Sequence, residues 1–598
     1  MEFDFSKEPG RVLKRKTVQE KGNALISIVT PFYNAGTYFK QTWRSVINQT
    51  FPWFEWVIVD DGSDCKKDLE LLEQLAGKDA RIVLIHQNNK GLANARNAGI
   101  RCARTDLIVP LDADDLLAPQ YLEYTFFGLY FHPQASWCYT DTVGFGQQQY
   151  LWRYPWNAKR LKRYNYLTAT AAIRRQAWEA AGGYRKEKQH YYEDWRFWLQ
   201  LLEKHQHPVH VKGYLFWYRR LEHGMLSGIR TDQRQQQFCK KLIAQAAKKA
   251  DSRVRAVEYP VTRTMEPYYK PRQIDCLVNE QEKQLRHSDK IRILMMVPWM
   301  VMGGADRFNL DLVSGLDQKR FQISIVTTAV SEHEWQGYFS KYTDEIFHLP
   351  DFLDPVHAVE YVSFHILTRR IQVVFLSNSY RGYYMLPYLR KQFPKLCIID
   401  YVHMEEWYWK AGGFARLSGI FGSFLDKTYV SSSAVKKVLV KEFCRDDERV
   451  EILYIGVDTD RFDPNKVRTG RLYQALGVSK KVPIVLFPCR IDAQKRPFFM
   501  LAAAKLLIKR MPEVIFAVVG DGPQRQELER AIRRYGLKNH VICIGQMEHM
   551  EECYQDAKLT LICSIKEGLS LTAYESCAMG TPVVSSDVGG QKDLIDAS

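Results

Sequence analysis

Short apolar runs alternate with amphipathic stretches along most of this chain, and this alternation limits its possible folds more than any other feature. The first series begins at Leu25 and reads LISIVTP, TYFKQTWRSVINQ, WVIVDDGS, LELLEQLAG, RIVLIH, GLANARNAGIRCA and DLIVPLDADD. Strands that alternate with helices in this way predict a parallel, doubly wound α/β sheet. Ligands of such sheets bind beyond the carboxyl ends of the strands, where the segments VDDGS and LDADD fall.

A second series opens at Lys290 with IRILMMVPWMVMGGADRFNLDLVSGL, which predicts a strand, a glycine-containing turn and a helix. Its further strands are predicted in ISIVTT, VVFLSN, CIIDYVH, KTYVSS and VEILYIG. A third series follows Asp463 and is predicted in PIVLFPCRI, VIFAVVGDG, VICIGQ, LTLICS and TPVVSSDVGG. We therefore predict two nucleotide-binding-type lobes. The chain stops at DLIDAS, after these five strands, so we expect the last lobe to be either truncated or unusually short.

The stretch between the first two series is rich in Gln, Lys and Arg, lacks alternating strands and contains Pro260, Pro267 and Pro271. We interpret it as a linker with a helix from about Asp232 to Ala250. The predicted domains are an N-terminal extension (1–24), a first α/β domain (25–230), the basic helical linker (231–289), and two lobes (290–470 and 471–598).

Composition excludes several classes of protein. The chain is 46% hydrophobic and 25% charged, as ordinary globular proteins are. It begins with no secretory signal, and no apolar run approaches the 18 residues that indicate a membrane span. Its 12 cysteines form no CxxC pair, which favours reduced thiols in a cytoplasmic protein over a disulfide framework or a zinc site.

The net charge of +16 has two concentrated sources, KRLKR at 159–163 and the region 230–290, which holds 14 Lys or Arg against 8 Asp or Glu. One interpretation is a solvated face of a basic protein. The other is attraction to a phosphate-bearing acceptor or to anionic lipid, hence a peripheral contact with the cytoplasmic face of the inner membrane. Nucleic acid is not expected as a partner, because no helix-turn-helix, zinc-finger or aromatic RNA-binding signature is present.

Asp112 and Asp114 form the first candidate site. They lie two positions apart after the run DLIVPL, so an extended backbone would direct both carboxylates to one side. Hard divalent cations such as Mg²⁺ or Mn²⁺ bind one or two carboxylates together with diphosphate oxygens. The alternative is that these and the neighbouring carboxylates are ordinary turn and cap residues; those residues are Asp60, Asp61 and Asp115.

The first 230 residues resemble glycosyltransferase family 2, the inverting enzymes with a GT-A fold. The resemblance rests on VTPFYNAGTYFKQTWRSVINQTF, VIVDDGS, NKGLANARNAGI, VPLDADD, GGYRKEKQHYYEDWRFWLQLL and YRRLEHGMLS in this order. It implies that Asp112 and Asp114 face ribose and metal and that His223 approaches metal or phosphate, unless His223 is an ordinary surface histidine. The residues implied to border the nucleotide are Pro31, Tyr33, Asp61 and Arg96, with Asp61 reading the base.

Asp194 is the general base that this resemblance implies. An inverting transfer needs a carboxylate on the acceptor side to take the proton of the attacking hydroxyl. The alternative is that Asp194 caps a helix, which the spacing of Trp195, Trp198, Leu199 and Leu202 predicts to follow.

Residues 290–598 resemble glycosyltransferase family 4, the retaining enzymes with a two-lobed GT-B fold of twin Rossmann-like domains. The matching segments are MGGADRF, CRIDAQKRP, VVGDGP and EGLSLTAYESCAMGTPVVSSDVGG. The resemblance implies a site without metal: Gly303 and Gly304 approach phosphate, and Arg490 and Lys495 hold the diphosphate. The remaining implied residues are Glu567 as the catalytic contact to the donor sugar, Glu575 at the ribose, and His403 near the sugar, unless His403 is a plain core or surface histidine.

A dinucleotide-dependent oxidoreductase would share such α/β lobes, but neither MVMGGAD nor VVGDGP completes GxGxxG. The hypothesis is therefore a cytoplasmic, bacterial-type bifunctional glycosyltransferase. Its donors would be UDP, GDP or dTDP sugars, and its acceptor a glycolipid or growing polysaccharide of lipopolysaccharide O-antigen, capsule or cell wall. Two alternatives remain: only the first module is catalytic and the second is a scaffold or acceptor-binding unit, or the protein is a nonenzymatic nucleotide-sugar sensor.

Overall fold

Two strands that are buried along their full length form the centre of the N-terminal sheet, β1 (Ile26–Phe32) and β2 (Phe54–Asp60). They pair in parallel and in register in the computed structural model, which describes residues 3–20, 22–187, 191–222, 232–258 and 289–595. Because both faces of these strands are covered, apolar residues fill most positions instead of alternating with polar ones.

The first predicted series is confirmed by four parallel strands with helices between them. β3 (Ile82–His86) pairs with β2, and β4 (Leu107–Pro110) pairs with β1, which gives the order β3-β2-β1-β4. The intervening helices are α1 (Gly36–Ile47), α2 (Lys66–Ala76) and α3 (Leu92–Cys102). The carboxyl ends of parallel strands share one edge of a sheet, so the segments after β1, β2 and β4 come together there.

The other half of this sheet, which lies beyond the predicted first series of strands, is mixed. Its strands are β5 (Leu116–Leu117), β6 (Trp137–Gly146), β7 (Tyr150–Trp152), β8 (Ala172–Arg174) and β9 (Pro208–Arg220). The order continues β4-β8-β6-β9-β5, with β7 beside β6, and β8 runs antiparallel to both of its neighbours. The hydrophobic pattern within a strand does not encode the direction of its neighbour, so periodicity could not predict the antiparallel pairing in this half of the sheet.

The helices around this part are α4 (Tyr121–Tyr130), α5 (Ala158–Leu161), α6 (Arg175–Ala181), α7 (Glu193–Glu203) and α8 (Gln233–Lys249). Helix α8 confirms the predicted helix of the linker. The Asp232 carboxylate caps it by accepting hydrogen bonds from the backbone N–H groups of Arg234 and Gln235. Ile243 of α8 shares a buried core with Phe197 and Trp198 of α7, so this helix packs on the first domain.

The second series opens with β10 (Ile291–Val297) and α9 (Gly304–Gly315), as predicted. The next elements are β11 (Phe321–Thr327), α10 (Gln336–Phe339), β12 (Ile346–His348), α11 (Leu349–Phe352) and α12 (Ala358–Thr368). By internal contacts the chain forms two units, Met1–Arg292 with Gln322–Ile371, and Ile293–Phe321 with Gln372–Ser598. The segment 322–371 therefore packs with the N-terminal domain, although its pattern belongs to the second series.

A buried ionic network fixes this segment within the first unit. Arg369 donates to Glu123 of α4 at 2.8 Å and to Glu345 at 3.0 Å. The Tyr361 hydroxyl also donates to Glu123, at 2.8 Å, and the Tyr124 ring stacks on Phe352 with centroids 4.1 Å apart. Charge, hydrogen bonding and aromatic packing thus join α4 to α11 and α12.

The second unit contains two groups of parallel strands. The first runs β10-β13-β14-β15-β16, and the second runs β19-β18-β17-β20-β21. The strands are β13 (Val373–Ser377), β14 (Cys397–Val402), β15 (Lys427–Val430), β16 (Val450–Ile452), β17 (Ile484–Pro488), β18 (Ile515–Val519), β19 (Val541–Gly545), β20 (Leu559–Ile562) and β21 (Val583–Ser585). These positions confirm the strands predicted in the second and third series.

The remaining helices of the second unit lie between these strands. They are α13 (Tyr380–Gln392), α14 (Gly413–Ile420), α15 (Ser433–Lys441), α16 (Arg471–Leu476), α17 (Pro497–Ile508), α18 (Arg525–Arg534), α19 (Met550–Asp556) and α20 (Leu571–Ala578). Short 3₁₀ helices include Ala493–Lys495 and Gly589–Asp593. No helix within the described ranges has the length and hydrophobicity that crossing a bilayer requires.

Candidate active sites

The carboxylates of LDADD lie in a tight turn immediately after β4. The backbone N–H of Asp115 donates to the carbonyl of Asp112 at 3.2 Å, which closes the turn. The prediction that an extended backbone aligns Asp112 and Asp114 is therefore wrong. The two carboxylates are nevertheless close, because Asp112 contributes to raising the pKa of Asp114.

The carboxylates of this turn are buried and repel one another, so their charged forms are unfavourable without a cation nearby. Burial, followed by the Asp112 charge, raises the pKa of Asp114 to about 6. Burial and the Asp114 and Asp112 charges raise the pKa of Asp115 as well. Arg219 offsets part of this charge: its backbone N–H donates to Asp115 at 2.8 Å and its side chain donates to the Asp114 carbonyl at 2.7 Å.

A divalent cation fits this turn because it would relieve the remaining repulsion. Within the described ranges no three His, Cys, Asp or Glu side chains converge as a metal site. His223, the third predicted ligand, lies outside the described residues. The protein ligands would thus be Asp112 and Asp114, with diphosphate oxygens completing the coordination.

Arg96 connects this turn to the acidic start of α7. Its buried guanidinium donates to Asp112 at 2.6 Å and to Glu193 at 2.7 Å. These bonds bring the turn and the helix N-terminus into one site. The predicted place of Arg96 beside the nucleotide stays a prediction; the observed bridge gives it a positioning role.

Asp194 lies beside Glu193 in the first turn of α7. Helix α7 has Tyr192 at its N-cap position and no side-chain capping hydrogen bond, so the alternative that Asp194 caps the helix is wrong. Asp194 accepts a hydrogen bond from the side-chain amide of Asn165 at 3.0 Å. Burial raises the pKa of Asp194, and it raises the pKa of Glu193 to about 7. A carboxylate with a raised pKa can accept a proton near neutral pH.

The segments after β1 and β2 complete this edge of the sheet. Pro31 is buried in β1, and Tyr33, just beyond it, is exposed. Asp61 accepts from the Gln87 side chain at 2.6 Å and from the backbone N–H groups of Lys90 and Gly91 at 2.9 and 2.8 Å. Asp61 therefore fixes the loop after β3, and its predicted contact with the base stays a prediction.

The second site centres on Glu567, which follows β20. The Lys495 ammonium and the Ser564 hydroxyl both donate to the same Glu567 oxygen at 2.5 Å. Glu567 is buried, so these bonds fix its carboxylate. A side chain on Gly568 would place a Cβ 1.8 Å from the His403 carbonyl oxygen, so only glycine allows this approach.

His403 follows β14 and is buried against the aromatic rings of Phe308 and Tyr401. Its Nε2 lies 2.9 Å from the Ser377 hydroxyl in a hydrogen bond. Burial lowers the pKa of His403 to about 3, so the imidazole is neutral at physiological pH. His403 is thus buried, as the alternative of a core histidine expects. Its role near the sugar stays a prediction.

The other predicted residues of this site lie in the same unit as Glu567. Glu575 lies in α20 and accepts from the Tyr554 hydroxyl at 2.8 Å, and burial raises its pKa. The Arg490 side chain is 68% exposed and donates to Asp492 at 2.6 Å. Gly303 precedes α9, and Gly304 begins it with the Leu571 side chain nearby. The N-terminus of helix α9, which favours anions, thus lies beside Leu571 at the start of α20.

Sequence reasoning missed Arg219, which contacts Asp114 and Asp115, and four further residues of these sites. Glu193 and Asn165 contact the first site, and Ser564 and Ser377 hold Glu567 and His403 of the second. Glu193 has a sequence signal, since it is the other acidic residue in the first turn of a predicted helix. The other three have none: Asn165 and Ser377 lie 29 and 26 positions from their partners. Ser564 lies only three positions before Glu567, but a serine at that spacing carries no specific signal.

Three family models match the chain. Glycosyl transferase family 2 matches residues 27–186, Glycosyltransferase Family 4 matches 302–461, and Glycosyl transferases group 1 matches 471–598. The first match covers both β1 and the turn of Asp112. The third includes Glu567 and Glu575.

Individual relatives match parts of the chain. D-inositol 3-phosphate glycosyltransferase 2 of Catenulispora acidiphila is 33% identical over 177 residues, which are 28% of this chain and 41% of the relative. The O-antigen biosynthesis protein RfbC of Myxococcus xanthus is 28% identical over 189 residues, 30% of this chain and 15% of the relative. The chain thus spans less than half the length of these relatives.

Among solved structures, Anabaena HepE in complex with UDP matches with 16% sequence identity and a TM-score of 0.43. The match covers 51% of this chain and 83% of that protein.

Proposed function

Because this chain joins a glycosyltransferase family 2 domain to family 4 and group 1 glycosyltransferase domains, we propose that it is a bifunctional glycosyltransferase. The first site transfers a sugar with inversion and needs Mg²⁺ or Mn²⁺. The second site transfers a sugar with retention and needs no metal. The single observation that carries the proposal is the Arg96 bridge, since it joins the turn of Asp112 to Glu193, the immediate neighbour of the candidate base Asp194.

In the first site, Asp194 takes the proton of an acceptor hydroxyl while the hydroxyl oxygen attacks the anomeric carbon of the donor. The bond from that carbon to the diphosphate oxygen breaks, and its electron pair leaves with the diphosphate. Asn165 orients Asp194 by donating to its carboxylate, and Arg96 fixes Asp112 and Glu193. Asp112 and Asp114 would hold the cation, which neutralises charge on the departing diphosphate.

In the second site, positively charged groups of the protein itself take the place of a metal ion. Arg490 and Lys495 hold the diphosphate, and the N-terminus of α9 at Gly303 and Gly304 contributes its partial positive charge. Glu567, fixed by Lys495 and Ser564, contacts the donor sugar. Glu575 binds the ribose hydroxyls.

The donors are nucleotide sugars, and the acceptor is a glycolipid or a growing surface polysaccharide. One relative supports this process, since it is an O-antigen biosynthesis protein. The excess of basic residues supports contact with anionic lipid or a phosphate-bearing acceptor at the cytoplasmic face of the membrane.

Product analysis by mass spectrometry with a panel of UDP, GDP and dTDP sugars tests the proposal. Asp194→Asn should slow the first transfer by about 10²–10⁴-fold while donor binding survives. Glu567→Gln should slow only the second transfer. Glu203→Gln, on the same helix as Asp194, and Glu527→Gln, an exposed residue of α18, serve as matched controls.

Each alternative predicts a different result in the same assay. A second transfer at the normal rate in Glu567→Gln would mean that the second module is a scaffold or acceptor-binding unit. Donor binding without any donor consumption in the unsubstituted protein would identify a sensor and overturn both transfers. Unchanged turnover in Asp194→Asn would overturn the choice of base.

A further inference from the structure

The N-terminal segment of residues 9–15, which we name the strap, lies along helix α1. One face of α1 holds the strap, because side chains three and four positions apart lie on the same side of a helix. The Gln41 amide donates to the Pro9 carbonyl at 3.1 Å, the Arg44 guanidinium to the Arg11 carbonyl at 2.9 Å, and the Asn48 amide to the Val12 carbonyl at 2.7 Å. The strap is therefore bound to the first unit through its own backbone.

Gly10 allows the strap to come close to the helix at Gln41. Its φ angle is 78°, in the left-handed region, and a Cβ atom there would lie 2.2 Å from the Gln41 carbonyl oxygen. The backbone oxygen of a helix cannot yield to such a contact, so glycine is required at this position. The strap thus contacts both the main chain and the side chain of Gln41.

The Gln41 side chain also binds Arg219, the penultimate residue of β9. Its Oε1 accepts from the Arg219 guanidinium at 2.7 Å, while its Nε2 donates to Pro9. The two partners determine which way the amide is oriented, since its oxygen can only accept and its nitrogen can only donate. The guanidinium also lies over the rings of Tyr38 and Phe145, with its central carbon 4.5 Å from each ring centre. Gln41 and these two rings together orient Arg219.

Arg219 binds the turn that carries the candidate cation ligands. Its side-chain Nε donates to the Asp114 carbonyl at 2.7 Å, and its backbone N–H donates to the Asp115 carboxylate at 2.8 Å. Helix α1 contacts the same turn directly, because the Thr42 hydroxyl donates to the Ala113 carbonyl at 2.9 Å. A continuous series of hydrogen bonds therefore links the strap to this turn through α1 and β9.

We propose that Gln41 is a positioning residue of the first site: it orients Arg219, which keeps the turn of Asp112 and Asp114 in the form that binds a divalent cation. The strap supports this role by fixing Gln41. Because Gln41 acts through Arg219, its loss should weaken cation binding without altering the proton transfer at Asp194. This assignment rests on the proposed cation-dependent transfer.

A purely structural role for Gln41 makes a different prediction. If Gln41 only attached the strap to α1, its replacement would lower the free energy of unfolding and leave the cation affinity of the folded protein unchanged. A positioning role also lowers that affinity, because a ligand set that is already ordered binds more tightly than one that must be ordered on binding. Cation affinity is therefore the measurement that decides between the two roles.

Electron paramagnetic resonance of free Mn²⁺ measures cation binding by the full chain with UDP, GDP or dTDP present. Gln41→Leu removes both amide hydrogen bonds and should raise the Kd for Mn²⁺ by about tenfold, the typical effect of losing a hydrogen bond to a charged group. In turnover, the Mn²⁺ concentration that gives the half-maximal rate of the first transfer should rise by the same factor. The rate at saturating Mn²⁺ should not change.

Two further variants separate the parts of this series of hydrogen bonds. Gln41→Glu keeps an oxygen that accepts from Arg219, and it should retain the Mn²⁺ affinity of the unsubstituted protein because an ion pair with Arg219 replaces the anchoring bond to Pro9. Gly10→Ala should lower the affinity as Gln41→Leu does, because the added Cβ displaces the strap from Gln41. Lys40→Met, at the neighbouring exposed position of α1, is the control and should change neither readout.

The outcomes distinguish failure of this inference from failure of the proposed function. If the unsubstituted protein bound no Mn²⁺ with any of the three nucleotides, the cation-dependent first transfer would itself be overturned. Normal Mn²⁺ binding by the unsubstituted protein, with an unchanged Kd in Gln41→Leu, would overturn the positioning role alone. An affinity in Gln41→Glu as low as that in Gln41→Leu would also overturn it, and an unchanged affinity in Gly10→Ala would overturn the part assigned to the strap.

Discussion

The two candidate sites deal with negative charge in opposite ways. In the first, the buried Arg96 is shared by Asp112 and Glu193, and Arg219 lies beside Asp114 and Asp115. Burial still raises the pKa of Asp114 to about 6. In the second, the key carboxylate Glu567 has its own ammonium partner in Lys495. Both sites would face the same departing diphosphate. Under the proposed function, the first would use a cation from solution, whereas the second would use cations of its own chain.

The largest effect is expected from Arg96→Met, which removes the arginine that the first site depends on. Asp112 and Glu193 lose their shared partner, and breaking a buried ion pair costs about 3–5 kcal/mol. We expect a lower free energy of unfolding in urea and loss of the metal-dependent transfer. Arg101→Met, at an exposed position of the same helix, is the control. Retention of the first transfer by Arg96→Met would show that the bridge does not organise the site.

Removal of divalent cations should separate the two sites directly. EDTA should slow the first transfer by about a thousandfold, because a cation contributes several kcal/mol to stabilising the departing charge. The second transfer should keep its rate, and added Mn²⁺ should restore the first. If EDTA slowed both transfers equally in the same reaction mixture, the proposed difference in metal dependence between the two sites would be wrong.

Lys495→Met tests whether the second site depends on the positive charge of Lys495. It removes a diphosphate contact and leaves buried Glu567 without its ammonium, so the second transfer should fall by about a hundredfold and stability should decrease. In the double variant Lys495→Met, Glu567→Gln, thermal stability should recover while transfer does not. Stability that stays low in the double variant would mean that Lys495 acts through other contacts.

The smallest expected effect is a pH dependence carried by Asp306, in the first turn of α9. Burial raises its pKa to about 7, so between its ordinary value and pH 7 the folded state binds more protons than the unfolded state. Stability of the second unit should therefore fall as pH rises through this window and level off above it.

Asp306→Asn should remove that loss and raise the free energy of unfolding at pH 8 by on the order of 1–3 kcal/mol, with little change at pH 4. Urea denaturation at both pH values measures this difference. Asp311→Asn, on the same helix but paired with Arg307 at the surface, is the control. An equal gain at both pH values would show that the ionisation of Asp306 is not the cause.

Local pattern predicted the elements well and their partners less well. The strands β1 to β4 and the helix α8 follow from periodicity and from the cap at Asp232. The packing of 322–371 with the N-terminal domain does not, because Glu123 and Arg369 are separated by 246 positions. Pairing over that distance leaves no trace in hydrophobic spacing.

Within the sites too, local pattern predicted residues better than it predicted their partners. The residue types at Asp112, Asp194 and Glu567 indicated where chemistry would lie. The turn that closes at Asp115 and the bridge from Arg96 to Glu193 depend on backbone direction and on a third element, neither of which a motif specifies. Motifs therefore selected the candidate residues, and the structure shows which partners hold their carboxylates.

The packing of 322–371 against α4 also constrains how this protein can be divided. The chain passes from one unit to the other three times, near residues 292, 321 and 371. No single break, whether by a protease or by splitting the gene, can release both units intact. An excised N-terminal fragment ending near residue 290 would expose Phe127 and Tyr124 and leave Glu123 without Arg369. A shortened protein that keeps this surface covered must include residues 322–371 as well as the N-terminal fragment. A short artificial linker would then replace residues 293–321.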